Sequence, residues 1–95
     1  LSGRLLKKYM SQVKGWKMKK GKSIVKEYRF KNDIDALTFL DKIGKIAVRE
    51  GHHPNATWVY NKVNVELWTH SIGGLSTNDF ILAAKFDKVY NKMKK

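Results

Sequence analysis

GHHPNATWVYNKVNVELWTH, residues 51–70, holds two β-rich runs, TWVY and VNVELWTH, on either side of Asn61 and Lys62. Runs of β-branched and aromatic residues that flank a two-residue break predict an antiparallel hairpin, here with Asn61 and Lys62 as the turn. That register pairs Tyr60 with Val63, Trp58 with Val65 and, extended outward, His53 with His70. Strand side chains alternate, so Asn64, Glu66, Trp68 and His70 share one face while Val63, Val65, Leu67 and Thr69 share the other. The pairing would gather His52, His53 and His70, the only three histidines of the chain, at one end of the hairpin. Pro54 has no N–H to give a ladder, so regular pairing is expected to break before His53.

Working outward, Leu5, Tyr9 and Val13 recur at helical spacing within residues 4–14, and Gly15 is expected to stop that helix. Residues 15–30 alternate in their second half, with Ile24, Lys26, Tyr28 and Phe30 on one face and Val25, Glu27 and Arg29 on the other. With Gly21 as the turn, they predict a second hairpin. Asn32 or Asp33 can cap a helix over residues 33–50, whose stripe is Ala36, Leu40, Ile43 and Ala47, and Gly51 suits its left-handed end. Ser76 and Asp79 make an S-x-x-D capping box ahead of a last helix with Leu82, Phe86, Val89 and Met93 inward. The order α-β-β-α-β-β-α, with strands in antiparallel pairs, predicts one α+β domain over residues 1–95, its sheet covered on one face by helices.

Composition narrows the function classes. The 95 residues include no cysteine, which removes disulfides, thiolate metal sites and cysteine nucleophiles and fits an intracellular protein. The longest apolar run, FILAA at residues 80–84, falls far short of the ~20 residues that cross a bilayer, so no membrane partner is expected. The chain begins at Leu1 rather than methionine, which leaves a leader and targeting open. Its net charge is +12, concentrated in residues 1–31 and the final eleven. Such a field attracts polyanions, yet Arg, the residue of bidentate base and phosphate recognition, is scarce among the 20 cations. A solvated lysine surface is therefore preferred over a nucleic-acid-binding module. A domain this small has limited stability of its own, and a homo-oligomer would relieve that.

Three converging imidazoles suit proton transfer near neutral pH. A three-histidine zinc site competes, but neighbours on an extended segment point to opposite sides, which makes joint ligation by His52 and His53 awkward. No metal is expected.

The run HHP, then VYNKV, then TH followed by GGLS and Asp79, resembles the pterin-4a-carbinolamine dehydratase family, also known as dimerisation cofactors of a homeodomain transcription factor; the likeness spans residues 15 to about 90. The resemblance implies a single four-stranded antiparallel sheet with helices on one face, and a homodimer or homotetramer. It implies a cofactor-free dehydration of a 4a-hydroxytetrahydropterin to the quinonoid dihydropterin in tetrahydrobiopterin recycling, in the cytoplasm and, for a transcription-factor partner, the nucleus. Carried over, His52 and His70 become the acid/base pair and His53 orients the pterin. Trp16 walls the ring, and Pro54, Thr69, Ser71 and Ile72 contribute walls or backbone groups. Asp79 matches the family's acid and is expected mainly as a cap. Gly51 and Val48 stand where relatives usually carry acids, which leaves Glu50 to orient His52 in part.

Overall fold

The computed structural model of the chain describes residues 2–94. Ser2 caps the first helix, α1 (Gly3–Gln12), by accepting the Leu5 N–H. The helix ends two residues earlier than the periodicity predicts, and Val13 turns into the core. Strands β1 (Lys17–Lys19) and β2 (Ser23–Arg29) pair across a loop in which Lys20 and Gly21 take positive φ. Asn32 accepts the Asp35 N–H at 2.8 Å to open α2 (Asp33–Glu50), with Asp33 and Asp35 in the first turn, where the helix dipole favours acids. Strands β3 (Asn55–Val59) and β4 (Lys62–Leu67) follow, then a 3-10 turn (His70–Ile72) and α3 (Thr77–Met93).

The expected α+β order is observed, and the four strands form one antiparallel sheet, β1-β2-β4-β3. Ile24 and Tyr28 of β2 and Val63, Val65 and Leu67 of β4 bury themselves against Ala36, Phe39 and Ile43 of α2 and Leu82 and Phe86 of α3. Glu27 and Asn64 face solvent on the other side.

The second hairpin corrects the predicted register. Its turn is Tyr60-Asn61, and the pairs are Val59 with Lys62 and Trp58 with Val63, two positions from the expected partners. Tyr60 takes φ 49°, the positive angle that opens a II′-type turn, and Asn61 is held by the end of β2. Its carbonyl accepts the Phe30 N–H at 2.9 Å, and its side-chain amide donates to the Phe30 carbonyl at 3.0 Å. These bonds fix Asn61 as a turn residue and Lys62 as the first residue of β4. His53 therefore does not face His70.

Asp87 fastens α3 to the sheet. It accepts from Tyr28 Oη at 2.6 Å, Lys26 Nζ at 2.8 Å and Trp16 Nε1 at 3.2 Å. Burial first, and then the bond to Asp87, hold the Tyr28 phenol far above its ordinary value. The folded chain thus keeps a proton that the unfolded chain releases, so this contribution is intact below pH ~10 and fades as pH rises further, by up to ~1.4 kcal/mol per unit. Tyr28→Phe lacks that proton and should show a flatter alkaline limb. Urea unfolding of both proteins between about pH 8 and about pH 11 checks this, and coincident slopes would refute the assignment.

Candidate active site

The site begins at the end of α2. Gly51 is left-handed, with φ 65°, and the His52 N–H returns to the Ala47 carbonyl at 3.0 Å while the Gly51 N–H reaches Val48. This pair of bonds is a Schellman ending, and it fixes the angle at which His52 leaves the helix.

Asp79 receives it from below. At the start of α3 its carboxylate is fully buried, and His52 Nε2 lies 2.6 Å from Oδ1. Oδ2 accepts the Ser76 N–H at 2.9 Å, the acid's half of the capping box, and the Thr69 hydroxyl at 2.9 Å. Thr69 Oγ1 and Ser76 Oγ lie 2.6 Å apart. An ionised carboxylate only accepts, so the neutral His52 ring carries its proton on Nε2 and leaves Nδ1 as an acceptor. The acid thus caps α3 as expected and in addition orients the histidine. Glu50 does not serve as the substitute: it pairs with Lys85 at 3.0 Å. Val48 is 68% exposed and lends no charge.

His70 directly follows Thr69, so two hydrogen bonds, His52 to Asp79 and Asp79 to Thr69, link the segments that carry both histidines. A bridge between Thr69 and Gly74, closed by Thr69 N–H to Gly74 carbonyl at 2.7 Å, pins the loop that presents His70, Ser71 and Ile72 to solvent. The His70 ring lies 4.4 Å from Trp68, centroid to centroid, tilted by 42°. Carried past the last pair, Asn55 with Glu66, the observed register sets His53 level with Trp68. His53 is exposed, whereas Pro54 and Trp68 are half-buried. Trp16 lies elsewhere in the packing: it is 5% exposed, edge-on to Tyr28, with its indole N–H on Asp87.

Trp68 is the residue that sequence reasoning missed as part of the site. Its signal was present, since Trp68 and His70 are two apart and share a face in any strand reading. Among the described residues, no group of three His, Asp or Glu side chains converges as a metal-binding set.

Comparison with known proteins bears on the fold and the family. The family profile described as Pterin 4 alpha carbinolamine dehydratase matches residues 1–89. A protein of Nitrosospira multiformis that carries the provisional name of a pterin-4-alpha-carbinolamine dehydratase is 47% identical over 90 residues, covering 95% of this chain and 79% of its own. Pterin-4-alpha-carbinolamine dehydratase 2, mitochondrial, of Arabidopsis thaliana is 40% identical across 84% of this chain and 45% of its own. The crystal structure of a transcriptional coactivator/pterin dehydratase from Brucella melitensis superposes with a TM-score of 0.90 at 27% identity, covering 95% of this chain and 97% of that one. A pterin dehydratase-like protein described as a RuBisCO assembly factor in the alpha-carboxysome shares the fold, with a TM-score of 0.69 at 22% identity over 80% of this chain and 89% of that one. With the profile covering nearly the whole chain, and the sheet and helix order matching a solved relative, this chain belongs to the pterin-4-alpha-carbinolamine dehydratase family, whose named members are hydro-lyases.

Proposed function

We propose that this chain dehydrates a 4a-hydroxytetrahydropterin, with His52 as base and His70 as acid, and so returns tetrahydrobiopterin to use. The observation that carries the proposal is the contrast between two linked imidazoles. One is held by a buried carboxylate through Nε2, which leaves Nδ1 to accept; the other is exposed and packs, tilted, against an indole. In the reaction His52 Nδ1 takes the N5 proton, the N5 electron pair forms the C4a=N5 bond, and the C4a–O bond breaks. The departing oxygen takes a proton from the His70 imidazolium and leaves as water. Asp79 stabilises the charge that His52 gains, and exchange with solvent resets both rings.

Trp68 supplies the flat wall for the heterocycle, with His53 level with it to orient the ring. Trp16, buried and bonded to Asp87, supports the core beneath. Pro54, Ser71 and Ile72 are assigned to the edges of the bound ring, and Thr69 acts through its hydroxyl on Asp79. The enzyme uses no cofactor and works in the cytoplasm.

A second reading concerns assembly. Ile34, Leu37 and Val48 are 65%, 43% and 68% exposed along the flank of α2 that faces away from α3. Their spacing continues through Asp41 and Gly44 as a seam suited to another helix. This seam makes the protein a homodimer or homotetramer, and it is where a transcription-factor helix would dock if the chain also serves as a coactivator.

The chemistry is tested by following dehydration of the carbinolamine. His52→Ala and His70→Ala should each lower kcat by ~100-fold or more, and kcat/KM should trace a bell against pH. His52→Ala should remove the acid limb and His70→Ala the alkaline one; a chelator should change nothing. Asp79→Asn keeps acceptors for Ser76 and Thr69 but turns a donor toward Nε2, which forces the wrong tautomer on His52. Its kcat should fall by roughly two to four orders of magnitude, while thermal stability changes little. Wild-type turnover in the double histidine variant would reject both roles.

Assembly is checked separately. Leu37→Glu puts a charge in the seam and should shift the sedimentation coefficient to a smaller species, with dehydratase activity retained. An unchanged coefficient would place the contact elsewhere.

A further inference from the structure

Helices α2 and α3 run antiparallel, and the groove between them is rimmed by like charge. Lys42, Lys45 and Arg49 stand on one side; Lys85, Lys88 and Lys92 stand on the other. On each helix these residues are spaced i, i+3, i+7, so each side presents a single row of cations. Two adjoining hollows of about 480 and 380 Å³ lie between the rows. Their floor is aliphatic, made by half-buried Ile46, Val89 and Met93.

Few acids answer these charges. Glu50 binds Lys85 at 3.0 Å and Asp41 binds Lys45 at 2.9 Å. Among the described residues, no carboxylate forms a salt bridge with Lys42, Arg49, Lys88 or Lys92. The four unanswered cations are exposed around one apolar trough, so their repulsion costs folding little while their fields add over the groove. A merely solvating lysine coat would have no reason to line both walls of a groove.

We propose that this groove docks an acidic amphipathic segment of a partner protein, whose carboxylates meet the two cation rows and whose aliphatic side chains seat on Ile46, Val89 and Met93. The chemistry of the walls selects that occupant. Five of the six cations are lysine, which offers point charges rather than the guanidinium forks suited to phosphate. The hollows have no aromatic lining residue on which a base could stack. An aliphatic floor would gain nothing from a sugar-phosphate backbone. A second copy of this chain is a poor occupant of this groove, because its 8 acids are spread among 20 cations, with no run acidic enough to meet the two rows. The groove is also separate from the apolar seam, which lies on the opposite flank of α2.

The test uses the full chain and three fluorescein-labelled probes: a Glu/Leu amphipathic helical peptide of about three turns, a Glu/Ser peptide of equal charge, and an oligonucleotide offered single-stranded and as a duplex. Fluorescence anisotropy should show the Glu/Leu peptide bound, with affinity falling as salt rises from about 50 to about 200 mM. Reversal of the groove, by Lys42→Glu, Arg49→Glu, Lys88→Glu and Lys92→Glu together, should weaken binding by at least about tenfold. A control with the same net charge, Lys7→Glu, Lys8→Glu, Lys20→Glu and Lys22→Glu, should stay within about twofold of wild type. The Glu/Ser peptide should bind at least about fivefold more weakly than Glu/Leu. Circular dichroism and dehydratase turnover confirm that each variant folds, and replacement of the same four groove residues by Gln provides the measurement if reversal unfolds the chain. No binding, equal loss in groove and control variants, equal affinity for the two peptides, or tighter oligonucleotide binding through the same four residues would each overturn the proposal.

Discussion

A carboxylate with no exposed surface, Asp79, is the constraint on which the site depends. An unpaired buried charge costs several kcal/mol, and here that cost is offset by donors from three separate places. The Ser76 N–H comes from the start of α3, the Thr69 hydroxyl from the link after β4, and the His52 ring from the end of α2. The acid also sits in the first turn of α3, where the helix dipole favours negative charge. Because no single element satisfies Asp79, the three ends are held in one arrangement. Folding energy and the geometry of the proposed site therefore rest on the same atoms.

Asp87 does the corresponding work two turns further along α3. It collects Trp16, Lys26 and Tyr28 and ties the helix to the sheet, while Leu82, Ala83 and Phe86 fill the space between the two acids. A helix fixed at two polar points and along an apolar stripe has little freedom to rotate. That rigidity keeps Asp79 at hydrogen-bond distance from His52.

Much of this could be read in advance, for local reasons. Asn32 and Gly51 bound α2 because capping and left-handed ends depend on residue type alone. Ser76 marks the start of α3 by the same logic. The hairpin register was missed because it is set by contacts distant in sequence: the two bonds between Asn61 and Phe30 lie outside any local signal. The same limit applied to Asp79. Its spacing from Ser76 announced a cap, but only the third dimension adds Thr69 and His52. The proximity of His52 to the His70 segment was anticipated from the wrong pairing; in the structure it comes through Asp79 and Thr69 rather than through a ladder.

Helix α2 uses its whole circumference. Ala36, Phe39, Ile43 and Ala47 face the core, one flank carries the exposed seam of Ile34, Leu37 and Val48, and the flank toward α3 carries Lys42, Lys45 and Arg49. Its C-terminal end then delivers His52. The charged flank need not disturb that histidine. Lys42 lies about 12 Å of helix, at ~1.5 Å per residue, before Glu50, where α2 ends ahead of His52, and this exceeds the ~8 Å over which salt screens exposed charges. Nearer the site, the Glu50–Lys85 pair closes the groove with neutral charge, which leaves Arg49 as the one nearby cation on α2 without a carboxylate. The proposed proton shuttle and docking groove can therefore share two helices, because distance and salt screening separate the first from the field that serves the second.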